Sequence, residues 1–165
     1  MFDRILVPTD FSPPSNAALE QARVLAGTFG SSLRLLHVVD EPSSSSFVAD
    51  GFAPTTDSIR ETMLAEARSE LSRLAGPTDR SKTRVYIDAV LGAPAATIVD
   101  YAKATGTSLI VMGTHGRTGL AHLLMGSVAE QVVRTAPCAV LTVREAPVAQ
   151  GATAVVRACA LPTTA

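Results

Sequence analysis

Residues 113–119 read GTHGRTG and set two glycines beside a histidine and an arginine. Gly113 and Gly116 bring backbone N–H groups close to a ligand with no Cβ in the way. His115 and Arg117 add side-chain donors to the same stretch. Further on, Gly126-Ser127 precedes an amphipathic run. A helix N-terminus there presents unpaired N–H groups and the positive end of the helix dipole, which suits a phosphate. Ser127 with Glu130 has capping-box spacing, so the serine is read as the N-cap over those same N–H groups. The chain thus offers two anion-binding devices, joined by a loop long enough to fold over a polyphosphate. No Gly-Lys-Ser/Thr of a Walker loop occurs, and no G-x-G-x-x-G follows the first apolar run, so neither familiar phosphate fingerprint applies.

These devices need elements to hold them. Five apolar runs read as strands: Ile5–Val7, Leu33–Val39, Arg84–Val90, Leu109–Met112 and Ala139–Val143. Most are nearly continuous in apolar residues, as in strands buried on both faces of a parallel sheet; the mixed run at Arg84–Val90 suits an edge. Helical patterns alternate with them. Ser12 and Pro13 open the first, which stops near Gly27–Gly30. Asp57 caps the second, which ends at Gly76-Pro77. The third is Pro94–Ala104, closed by Gly106, and the fourth is Ser127–Thr135, closed by Pro137. Strict β-α alternation implies an α/β sandwich with right-handed crossovers. Residues 40–56 read as a surface loop and 146–165 as an irregular tail after a single domain at 1–145.

In such a sheet, ligands bind beyond the carboxyl ends of the strands, where the strand order reverses. Pro8, Thr9 and Asp10 follow the first strand; the Gly113 loop follows the fourth.

The spacing Gly113-x2-Gly116-x9-Gly126-Ser127 resembles the G-x2-G-x9-G-S/T nucleotide motif of the universal stress protein family. The likeness extends through ILVPTDFS at 5–12, LLHVVDE at 35–41, GAPAATIVDYA at 92–102 and the long segment 111–144. It implies an adenine nucleotide alpha hydrolase-like fold, an open parallel sheet ordered 3-2-1-4-5 with helices on both faces. In ATP-binding members, the residues matching Pro8, Thr9 and Asp10 line the adenosine side, with the aspartate on the ribose. The residue matching Val38 faces adenine. Those matching Met112, Gly113, His115, Gly116, Arg117, Gly126, Ser127 and Val128 wrap the ribose and phosphates. Mg²⁺ or Mn²⁺ would ride mainly on phosphate oxygens. The resemblance also implies a homodimer through the fifth strand, with Val140, Leu141, Thr142 and Val143 at the interface. The function implied is an ATP-binding stress-response regulator that signals to a client protein by conformational change. The alternatives are a slow ATP hydrolase and a dimerisation module without nucleotide.

Other residues receive plainer readings. His37 lies in an apolar strand and reads as a satisfied core histidine. Cys138 reads as packing, Cys159 lies in the tail, and His122 has no assigned role. Asp88 lies inside a strand and no lysine follows the fifth strand, which excludes a phosphorylated receiver domain. No catalytic residue and no protein-held metal is assigned. The 165 residues carry a net charge of −1 and 4% aromatics without tryptophan, which argues against nucleic-acid partners. Two cysteines exclude a disulfide scaffold. No apolar run approaches the roughly 20 residues of a membrane span. MFDRILVPTD has no basic segment before a long apolar one, so no signal peptide is read and a cytoplasmic protein is expected.

Overall fold

The computed structural model describes residues 2–40, 56–115 and 125–144. The loop assigned to residues 40–56, except for its end residues, lies outside the described residues. So do Gly116, Arg117, His122, Cys159 and the 146–165 tail.

Five strands, β1 (Arg4–Pro8), β2 (Ser32–Val39), β3 (Val85–Leu91), β4 (Leu109–Gly113) and β5 (Ala139–Val143), form one sheet ordered β3-β2-β1-β4-β5. All neighbours pair in parallel. Helices α1 (Pro13–Phe29), α2 (Thr56–Lys82), α3 (Pro94–Thr105) and α4 (Ser127–Thr135) make the crossovers. Side chains alternate between the two faces, so each apolar strand feeds two cores. Ile5, Val7, Leu33, Leu35 and Val111 pack with Ala18, Ala22 and Leu71 of α1 and α2. Leu6, Leu36, Ile110 and Met112 pack with Ile98, Val99, Ala129 and Val132 of α3 and α4. The inner strand β4 is buried along its whole length, whereas β3 at the edge is mixed, with Tyr86 exposed.

Local signals placed most helix ends. Ser12 is the N-cap of α1, its hydroxyl accepting from the Ser15 N–H, with Pro13 in the first turn. Gly30 and Gly106 close α1 and α3 in the left-handed conformation. Three expectations need correction. Helix α2 begins at Thr56, so Asp57 sits in its first turn, where its charge favours the positive end of the dipole. Gly76 breaks α2, with φ 61° and ψ 162°, but helix resumes through Lys82. Pro77, with its φ already fixed, is well suited to open a helix, so the Gly-Pro pair interrupts rather than ends it. The third correction concerns α4. Its N-cap is Gly126, whose carbonyl accepts from the Glu130 N–H at 2.9 Å, and no side chain caps the helix. Ser127 is therefore the first helical residue, and the expected Ser127–Glu130 capping box does not form.

Among the described residues, no helix is long and apolar enough to cross a membrane.

Candidate functional site

The chain leaves β1 for β2 on one side and reaches β4 on the other. The carboxyl ends of β1 and β4 therefore diverge into a crevice. A cleft of about 550 Å³ lies there. Pro8, Thr9, Asp10, Val38, Met112, Gly113, His115, Gly126, Ser127 and Val128 all line it. These ten are expected site residues from the sequence; the other two, Gly116 and Arg117, lie outside the described residues.

The floor on the β1 side is a hydroxyl network. Thr9 donates its N–H to the Leu36 carbonyl at 2.9 Å, which extends the sheet ladder by one residue. Its Oγ1 accepts from the Phe11 N–H at 3.0 Å and lies 3.1 Å from Ser15 Oγ. Asp10 Oδ1 accepts from Ser12 N–H at 3.1 Å and from Ser12 Oγ at 2.5 Å. Asp10 is thus a turn residue before the Ser12 cap, and the same bonds fix its carboxylate at the rim of the cleft. Between them Phe11 has φ 64°, a left-handed conformation that is uncommon for a residue other than glycine. Its ring lies against His37, with centroids 4.5 Å apart. The Thr9 carbonyl accepts from His37 Nδ1 at 2.7 Å, so Nδ1 carries a proton and, in the neutral ring, Nε2 is an acceptor. His37 is satisfied, as expected, but it is half-buried and lines the cleft rather than lying in a core.

The opposite wall is built from the ends of β4 and α4. The Thr114 N–H donates to Val143 at 3.0 Å, and the Thr114 carbonyl accepts from Gly126 N–H at 2.7 Å. This pair pins the start of α4 beside the end of β4 and commits the Gly126 N–H. The donors that α4 offers to the cleft are therefore those of Ser127, Val128 and Ala129, which have no intrahelical partner. Gly113 also acquires a specific reason. A Cβ there would lie 2.9 Å from the Pro14 carbonyl carbon, so its bare backbone lets α1 pack on the end of β4. His115 Nδ1 lies 3.0 Å from Thr114 Oγ1.

The third wall is apolar, from Leu36, Val38, Ile98 and Met112. A flat, weakly polar ring fits against that wall, while hydroxyl groups fit Asp10 and an anion fits the start of α4. The cleft also contains residues that sequence reasoning did not assign to it: Ser15, His37, Asp40, Met63, Pro94, Ile98 and Thr114 among them. Ser15 was detectable as the third helical residue after the Ser12 cap, and Asp40 as the residue next to the end of β2. Met63 comes from α2, and only the packing of α2 on β2 and β3 brings it there. Cys138 is half-buried against the α3–α4 core, and burial pushes its thiol pKa up, consistent with a packing role.

The model of the universal stress protein family matches residues 1–144. Universal stress protein MJ0531 of Methanocaldococcus jannaschii is 32% identical over 145 residues, which is 88% of this chain and 84% of that protein. The solved structure of MJ0577, from the same organism, matches with a TM-score of 0.75 at 29% identity, over 88% of this chain and 98% of that one. A universal stress protein solved in complex with cAMP matches with a TM-score of 0.55 at 26% identity, over 86% of this chain and 96% of that one.

Proposed function

Because the chain belongs to the universal stress protein family, we propose that it binds ATP in the cleft between β1 and β4 and acts as a nucleotide-dependent regulator in a stress response. The observation that carries this reading is the convergence in one cleft of an apolar wall, the Asp10 carboxylate and the open N–H groups of α4. Adenine lies against Val38 and Met112, the ribose hydroxyls on Asp10, and the phosphates on the N–H groups of Ser127 and Val128. The glycine motif and the cAMP complex of a relative support an adenine nucleotide. Among the described residues, no group of three or more His, Cys, Asp or Glu side chains could hold a metal. A Mg²⁺ or Mn²⁺ would be carried mainly by the phosphate oxygens of the bound nucleotide.

Asp10→Ala tests the ribose contact. A hydrogen bond to a charged acceptor contributes on the order of 1.5–3 kcal/mol, so ATP affinity is expected to fall by roughly 10- to 100-fold. Binding of the dideoxy analogue should fall much less. Titration calorimetry measures both, and equal losses would remove Asp10 from the ribose.

Turnover should be far below the ~1–100 s⁻¹ of kinases. Asp10 Oδ1 accepts two hydrogen bonds from Ser12, and His115 Nδ1 lies 3.0 Å from Thr114 Oγ1, so both side chains already serve to hold the walls of the cleft. Steady-state phosphate release checks this. A rate in the kinase range that is lost in His115→Ala would favour an enzyme.

The same reading includes a homodimer through β5. That strand is at the sheet edge, carries neither proline nor charge, and leaves Leu141 39% exposed. Val140 already packs into the α3–α4 core, so the interface would rest on the backbone edge, Leu141 and Thr142 rather than on Val140. Sedimentation should show a dimer that Thr142→Lys weakens; a monomeric wild type at tens of micromolar, where specific dimers persist, would contradict it.

A further inference from the structure

At the opposite end of the sheet, near the amino ends of the strands, a second cavity of about 190 Å³ opens beneath the C-terminus of α3. Its polar lining comes from Arg4, Ser32, Arg34, Tyr86, Thr105 and Thr107. The register explains the grouping. Arg4 lies opposite Ser32, and Arg34 lies opposite Tyr86, so residues two apart on neighbouring strands share one face. Thr105 and Thr107 flank Gly106, the cap of α3, and close the cavity from above.

Two guanidinium groups meet here. Arg34 is rigidly held: its Nη1 donates to Asp88 Oδ2 at 3.0 Å and to Tyr101 Oη at 2.8 Å. The guanidinium also lies 4.8 Å from the centre of the Tyr86 ring and 5.8 Å from that of Tyr101. Tyr101 Oη in turn donates to Asp88. Arg4 Nε donates to the Gly106 carbonyl at 2.8 Å, which anchors it to the negative end of α3. Among the described residues, no acceptor engages the Nη atoms of Arg4 or the Nε and Nη2 of Arg34, and no carboxylate pairs with Arg4. Two positive charges therefore face one carboxylate, and Asp88 is not in the cavity lining. The fixed forks of two arginines are the recognition chemistry of a carboxylate or phosphate group.

We propose that this cavity is a second binding site, separate from the cleft, for a small oxyanion or for the anionic group of a small ligand. Arg4 and Arg34 supply the charge and the donors; the threonine hydroxyls are already bonded, Thr105 donating to the Tyr101 carbonyl at 2.8 Å and Thr107 to Thr105. The site lies at the strand ends opposite the β1–β4 cleft and does not depend on a nucleotide being bound there.

The test is an NMR titration of the full chain, ¹⁵N-labelled, with inorganic phosphate in one series and succinate in another. ATP is present in both, so that phosphate cannot act through the cleft. The amides of Ser32, Arg34, Tyr86 and Thr107 should shift saturably with one or both probes at about 1 mM or below. Saturation with phosphate alone assigns a phosphate site, and with succinate a carboxylate site. Arg4→Gln should weaken the response roughly tenfold, and so should Arg34→Lys, which keeps the charge but loses the fork. The absence of a saturable shift at these amides up to tens of millimolar overturns the proposal. So does an equal response in wild type and both folded variants, or shifts confined to Gly113 and Ser127.

Discussion

Gly126→Val is expected to abolish ATP binding in a chain that still folds. Gly126 is extended, with φ −71° and ψ 153°, a conformation that valine adopts readily. Its two backbone bonds, N–H to Thr114 and carbonyl from Glu130, do not involve a side chain. The fold should lose only the difference between a glycine and a valine N-cap, about 1 kcal/mol. The cleft loses more. A branched Cβ at this position stands beside the open N–H groups of Ser127 and Val128, where the phosphates must approach. Calorimetry should record no binding heat while circular dichroism stays unchanged. An unaltered affinity in the folded variant would remove the start of α4 from the site.

Gly113→Val should do the reverse and act on stability first. A Cβ at Gly113 would lie 2.9 Å from the Pro14 carbonyl carbon and 3.0 Å from the Pro14 carbonyl oxygen. Those are backbone atoms in the first turn of α1, so relief requires the helix to move away from β4. Overpacking of this kind costs about 3 kcal/mol when the neighbour cannot yield. The melting temperature should then fall by on the order of 10 °C. Thermal unfolding followed by circular dichroism measures it, and an unchanged Tm would show that α1 can retreat without loss. The two glycines of one motif are thus expected to differ in duty, which spacing alone does not separate.

Much of the architecture was legible in local pattern. Continuous apolar runs marked the buried strands because both faces of a parallel sheet are covered, and the mixed composition of β3 marked an edge. Ser12 with Pro13, Gly30 and Gly106 act within one helical turn of themselves, so the ends they specify follow from sequence. Structure and pattern part where a local signal has two outcomes. Ser127 and Glu130 fit a capping box, but the bond from Gly126 N–H to Thr114 sets the start of α4 one residue earlier. Gly76-Pro77 fits a stop as well as a restart. In the cleft, residues next to strand ends were found by topology. His37 was read as core because its strand is apolar; its bond to Thr9 and its contact with Phe11 depend on how two strand ends meet. Met63 depends on where α2 lies over the sheet, which no short segment specifies.

The central claim is that this cleft holds an adenine nucleotide. Acid release from the purified chain, followed by chromatography of the supernatant, measures that directly, after incubation with ATP and Mg²⁺ and removal of free nucleotide. About one adenine nucleotide per chain is predicted, the one held by the β1–β4 cleft. A chain that carries none, before or after incubation, contradicts the account.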